Sequence, residues 1–109
     1  MSESAPIKPV SAYGASKATC ENLIHAYSRL YGIRAVALRY VNVVGPRLRH
    51  GVIYDFVVKL MKKPDTLEIL GDGTQIRRYI HVSDAVEATL KVWEHLHREF
   101  EACNVGSED

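Results

Sequence analysis

Residues 13–40 read YGASKATCENLIHAYSRLYGIRAVALRY. Between Tyr13 and Tyr31 the apolar residues Cys20, Leu23, Ile24, Tyr27, Leu30 and Tyr31 recur every three or four positions, the spacing of a single helical stripe. Gly32 then stops the helix. Residues 33–40 follow directly as a short run rich in strand-forming side chains. A helix leading through one tight turn into such a strand is half of an α/β unit.

Outward from this stretch, residues 1–10 (MSESAPIKPV) are small, polar and punctuated by proline, which predicts an extended lead-in with no core of its own. Downstream, Asn42, Gly45 and Pro46 predict a loop, 52–62 a second helix, and Pro64-Asp65 its break. A brief strand is expected at 67–70, before the turn Gly71-Asp72-Gly73, and another at 78–82. Ser83 or Asp84 would cap a last helix whose face is Val86, Leu90, Trp93, Leu96 and Phe100, and 102–105 reads as a final strand. The expected order is α-β-α-β-β-α-β, an α/β layer architecture, with residues 11–109 as a single unit after the lead-in.

At 109 residues there is material for one small core. A net charge of +1 argues against broad electrostatic capture of nucleic acid or of a membrane surface, so anion recognition must come from local clusters. No apolar run is long enough to span a bilayer, and no secretory leader follows Met1. Cys20 and Cys103 form no C-x-x-C pair and are expected to be buried free thiols in a reducing compartment, with a cytoplasmic location as the expectation.

Tyr13 and Lys17 are the candidate chemical pair. Four positions apart on a helix, they stand one turn apart on the same face. Free tyrosine, with a pKa of about 10, is a poor base at neutral pH, and a neighbouring ammonium favours its phenolate. Such a pair can take a proton from a hydroxyl. The same spacing is met by an exposed aromatic and an exposed lysine with no task. Arg47, Arg49 and His50 form one short basic cluster and Arg77 with Arg78 a second; either suits an anion or a solvated surface. His81 is expected to be structural. His95 and His97 lie two apart on a helix and point to different sides, so no metal site is visible.

Three segments, PVSAYGASKATCE, ALRYVNVVGPR and GDGTQIRRYIHVSDA, together resemble the extended short-chain dehydrogenase/reductase family, in its NAD-dependent sugar-nucleotide epimerase/dehydratase branch, typified by UDP-galactose 4-epimerase. The likeness runs from about Pro9 to Gly106. It implies a partial Rossmann-like fold: the C-terminal part of the NAD-binding fold plus part of the substrate lobe. It also implies roles. Tyr13 matches the catalytic base, and Lys17 its partner and a contact of the nicotinamide ribose. Tyr40 falls where the chain passes the nicotinamide, Asn42 matches a substrate-diphosphate contact, and Arg77 matches the arginine that clamps the sugar-nucleotide phosphates. A guanidinium fork suits phosphate oxygens. Arg78 stands where many relatives carry an acidic or small residue.

The glycines are Gly14, Gly32, Gly45, Gly51, Gly71, Gly73 and Gly106, and no G-x-G-x-x-G or G-x-x-G-x-x-G occurs among them. The dinucleotide fingerprint is absent, and the serine or threonine that relatives carry upstream of the tyrosine would precede Met1. The chain is therefore expected to be an internal fragment, inactive and without bound NAD by itself, whose bare strand edges and apolar faces call for a second copy or a complementing chain. The leading expectation is part of a UDP-sugar 4-epimerase-type enzyme. A sugar-nucleotide 4,6-dehydratase or decarboxylase is the alternative within the family, and a non-catalytic folded remnant that oligomerises or binds nucleotide is the alternative outside it.

Overall fold

Ser11 starts the first helix: its hydroxyl accepts from the Gly14 N–H at 3.0 Å, satisfying one of the amides a helix start leaves unpaired. The computed structural model describes residues 2–107, so Met1 of the lead-in and the last two residues lie outside them. Helix α1 spans Ala12–Tyr31 and ends at Gly32, whose φ of 63° is the left-handed conformation that lacks a Cβ penalty only in glycine. Strands β1 (Ala35–Tyr40) and β2 (Asn42–Val44) follow. Then come α2 (Val52–Lys62), β3 (Tyr79–His81), α3 (Val82–Glu94) and β4 (Phe100–Val105).

The strands make two parallel pairs. β1 runs beside β4 in the register Ala35↔Phe100 to Tyr40↔Val105, and β2 beside β3 from Asn42↔Tyr79 to Val44↔His81. The chain changes partner at Val41. The Val41 N–H donates to the Val105 carbonyl at 3.0 Å, and the Asn42 N–H donates to that of Arg78 at 3.3 Å. A Cβ on Gly106 would come within 2.7 Å of a Val41 methyl, so glycine is what allows the two segments to cross this closely. Around the start of the longer pair, the Ser28 hydroxyl lies 2.5 Å from the carbonyl oxygens of both Ile33 and Glu99. It ties the end of α1 to the entries of β1 and β4 at once, and it is 1% exposed.

The α/β class with parallel strands is as expected, but the element order is α-β-β-α-β-α-β. Residues 67–70 form no strand, because no neighbouring strand offers them a ladder; they line a cleft instead. Asn42, expected in a loop, opens β2, with the loop beginning at Gly45. The cap of α3 is His81 rather than Ser83 or Asp84: its Nδ1 accepts from the Ser83 N–H at 3.3 Å. Cys20 is exposed and Cys103 half-buried, against the expectation of two buried thiols. Cys103 sits inside a paired strand, where burial pushes its thiol pKa up.

The apolar stripes are real but largely uncovered. The buried apolar residues are Ala85, Leu96 and Val105. Leu23, Ile24, Tyr27, Leu30 and Tyr31 on α1 and Val86, Leu90 and Trp93 on α3 are exposed. Leu96 and Phe100, expected on the face of α3, lie beyond its end, Leu96 buried and Phe100 within β4. The radius of gyration is 17.5 Å, against about 13 Å for a compact chain of this length. The accessible surface is 9123 Å², about 3,000 Å² more than a compact monomer of this mass exposes.

Candidate functional site

The first two turns of α1 carry Tyr13 and Lys17. Their entry is set by Pro9, which lies so near Gly14 that a Cβ there would stand 3.3 Å from the proline Cβ. The Lys17 ammonium lies 5.5 Å from the centroid of the Tyr13 ring, within the range at which a cation is drawn to an aromatic face. Tyr13 is 73% exposed, so the phenol is open to a reactant.

One turn on, Glu21 faces β1. Arg39 grips its carboxylate with two donors: Nε gives a 3.0 Å bond to Oε2, and Nη2 bonds Oε1. This hydrogen-bonded carboxylate raises the Arg39 pKa above its ordinary value. Arg39 Nη1 also donates to the Glu3 carbonyl at 3.2 Å. The Glu3 carboxylate in turn accepts from the Asn104 N–H at 3.0 Å, a bond that holds its pKa below the usual carboxylate range. The residues just after Met1 are thereby pinned to β1 and β4.

The other expected site residues gather elsewhere. Asn42, His50, Arg77 and Tyr79 line a cavity of about 380 Å³, together with Gly51, Val52 and Ile53 at the start of α2. The N-cap of α2 is Gly51, which supplies no side-chain acceptor, so the first amides of this helix have no side-chain cap facing them. Asn42 Nδ2 donates to the Arg78 carbonyl at 2.9 Å, using one of its two amide protons. Arg77 donates only within its own turn, to the Ile76 carbonyl at 3.2 Å.

A second cavity of about 560 Å³ adjoins the first and shares Val52, Ile53, Arg77 and Tyr79 with it. Its remaining wall is Phe56, Ile69 and Leu70 with Asp55, Lys59, Gly73 and Gln75. Arg77 thus stands at the junction of the two cavities, the second having the more apolar wall. Ile69, Leu70 and Phe56 were not singled out from the sequence. The signal was present in the apolar run 67–70, read as a strand because strand and cleft wall share the same composition.

Tyr40 lines neither of these cavities. The Tyr40 hydroxyl bonds Thr89 Oγ1 of α3, and Thr89 donates to the Ala85 carbonyl at 2.6 Å. Tyr13 and Lys17 line neither cavity. The expected site residues therefore fall in two places, Tyr13 and Lys17 on α1 and Asn42 and Arg77 around the first cavity. Arg47 and Arg49 border a third, shallower depression with His50, and Arg47 takes a φ of 71°.

Comparison with known proteins gives a consistent result. The family model described as the NAD dependent epimerase/dehydratase family matches residues 1–106. A putative UDP-glucose 4-epimerase of Methanocaldococcus jannaschii is 40% identical over 109 residues, covering 96% of this chain and 34% of the relative. A crystal structure of UDP-galactose 4-epimerase superposes with a TM-score of 0.86 at 52% identity, covering 98% of this chain and 35% of that one. The UDP-glucuronic acid 4-epimerase of Bacillus cereus, solved in complex with UDP-glucuronic acid and NAD, superposes with a TM-score of 0.81 at 32% identity, over 100% of this chain and 35% of its own. The chain spans about a third of the length of the curated relatives it matches, and its fold is the corresponding part of their Rossmann-like architecture.

Proposed function

The chain belongs to the NAD-dependent epimerase/dehydratase family, and from that premise we propose that it forms the acid–base and sugar-nucleotide-holding part of a UDP-sugar 4-epimerase-type site. The observation that carries this reading is the Lys17 ammonium set 5.5 Å over an open Tyr13 ring. A phenolate supported by that ammonium takes the proton of the sugar 4-hydroxyl. The substrate is held by its nucleotide. Arg77, at the junction of the two cavities, grips the diphosphate through paired N–H donors, and Asn42 adds its remaining amide proton. The apolar chamber beside Ile69 and Leu70 takes the flat base.

NAD, the family's cofactor, fits this chain only at one end. Lys17 and Tyr13 suit the nicotinamide ribose, and the family resemblance assigns Tyr40 to the nicotinamide as well. A pyrophosphate cradle needs a glycine turn opening into a helix. The glycine turn at Gly71 and Gly73 instead leads through an irregular stretch into β3. The residues present do not hold the dinucleotide, and no oxidation step is derived for the chain alone. The missing cradle favours a second reading for the isolated chain, a nucleotide-binding unit without turnover. Under either reading, the excess of about 3,000 Å² of surface, several times the roughly 800 Å² each partner gives to a standard interface, supports a complementing chain or a second copy.

Thermal unfolding with UDP-galactose, with NAD and with both tests this. At a hundred times its dissociation constant the sugar nucleotide adds about 2.7 kcal/mol to stability, a readily measured rise in midpoint. The expected result is a rise with UDP-galactose that is lost in Arg77→Ala, and no rise with NAD alone. No response to the sugar nucleotide would refute the binding role.

A further inference from the structure

Lys17 and Glu21 stand four positions apart on α1, the separation at which lysine and glutamate on one helix face reach each other. On α3 the equivalent spacing is used in this way: Lys91 Nζ lies 2.6 Å from Glu87 Oε1, with both side chains about two-thirds exposed. On α1 the pair does not form. Both oxygens of Glu21 are taken by the Arg39 fork from β1, in a contact where the two side chains are only 28% and 16% exposed. The Lys17 ammonium turns the other way, toward the Tyr13 ring.

We propose that Arg39 is a positioning residue of the site: by occupying both oxygens of Glu21, it keeps Lys17 free to face Tyr13. This deepens the proposed function and rests on the Tyr13–Lys17 pair acting together. The physical reason is competition for one ammonium. A carboxylate outbids a neutral phenol ring for a lysine, because the ion pair is the stronger attraction. A Glu21 released from Arg39 would draw Lys17 back along the helix. The phenolate would then lose its cation and gain an anion nearby, and both changes disfavour it. The planar guanidinium meets both carboxylate oxygens in one fixed geometry, so the fork neutralises Glu21 and aims it at β1, away from Lys17. The charged groups involved are Lys17 and Glu21 of α1, Arg39 of β1 and the Glu3 carboxylate, whose charge also acts on Arg39, while the Glu3 carbonyl holds the third guanidinium donor.

The test is the titration of the Tyr13 ring carbon in the full chain, labelled with ¹³C-tyrosine and assigned by the signal lost in Tyr13→Phe. Arg39→Met should raise the titration midpoint by about half a pH unit, the size expected for an exposed charge pair. The double variant Arg39→Met with Glu21→Gln should return it to the starting value, because the competing carboxylate is gone. A purely structural tie between α1 and β1 predicts no such rescue, since the double variant lacks the tie as well. An unchanged midpoint in Arg39→Met, or a double variant as high as the single, overturns the proposal. Should Arg39→Met fail to fold by circular dichroism, Arg39→Lys keeps the charge without the fork and should give a smaller rise, and no change there overturns it too. Lys17→Gln separates the two layers of the argument. A midpoint indifferent to Lys17→Gln overturns the pair itself, and one that responds to Lys17 but not to Arg39 overturns only the role of Arg39.

Discussion

β1 and β4 pair along six residues and close over Ser28, Leu96 and Val105, whereas β2 and β3 pair along three and open onto the cavities around Arg77. The first region is held by a buried hydroxyl shared between two carbonyls and by a half-buried arginine–carboxylate fork between α1 and β1. The second keeps its apolar residues in the open. No residue of α2 is buried, and Leu70 and Ile76 are 82% and 85% exposed. The comparison separates two tasks. On the proposed reading α1 carries the chemistry and needs a fixed frame, and the frame is where the few buried contacts sit. A binding cleft needs unspent surface, because apolar walls already packed against one another have nothing left for a ligand.

Four measurements would break or sharpen that contrast, and the largest effect belongs to the frame's cargo. Tyr13→Phe should lower turnover about a thousandfold in the chain combined with a cofactor-binding partner, the usual scale for losing an acid–base group. It should leave the unfolding midpoint in place, since Tyr13 is mostly exposed. Arg77→Ala, in the open region, should weaken sugar-nucleotide binding by about ten- to a hundredfold in calorimetric titration, the loss typical of a charge-assisted hydrogen bond. Denaturant midpoints should barely move, because Arg77 bonds only its own turn.

Ser28→Ala should do the reverse, costing about 2 kcal/mol in urea unfolding by removing the one buried hydroxyl proton that the Ile33 and Glu99 carbonyls share, with nucleotide affinity per folded molecule unchanged. A comparable loss from Leu70→Ala would contradict the assignment of stability to the β1–β4 end. The smallest effect concerns Asp72. Hydrogen bonds from the Thr74 hydroxyl and N–H hold its carboxyl pKa below the ordinary 3.8. Its contribution is therefore present above that ordinary value and is lost as pH falls through the lowered folded value. On acidification below about pH 4, the Thr74 amide resonance should shift, as should that of Asn104, whose N–H bonds the Glu3 carboxylate, while the other β1–β4 amides stay in place.

Local pattern made much of the fold legible. The stripe in residues 13–31 and Gly32 predicted α1 to within a residue at its start, and 52–62 matches α2 as observed. These helices are legible because a 3.6-residue period and a glycine or proline stop are written into neighbouring residues. Short strands are different. Residues 42–44 and 67–70 are similarly brief runs, but only the first has a partner, β3, to complete its hydrogen bonds. Pairing across 36 residues leaves no mark in a local window. The site divided along the same line. Tyr13, Lys17, Asn42 and Arg77 were legible as motif residues, whereas the cleft wall of Phe56, Ile69 and Leu70 needed the fold to bring it together.

The sequence by itself determined the family, the Tyr13–Lys17 spacing, the α/β class and the absence of a glycine-rich dinucleotide turn. Each is a property of residues close together in the chain or of motifs in a set order. Only the tertiary structure decided that Glu21 binds Arg39 rather than Lys17, that Arg77 stands between two adjoining cavities, and that the apolar faces of α1 and α3 are left uncovered. The physical reason is common to all three. A side chain's partner is chosen by competition among groups that folding brings within reach, and a helix period fixes which face is apolar without saying what, if anything, will cover it.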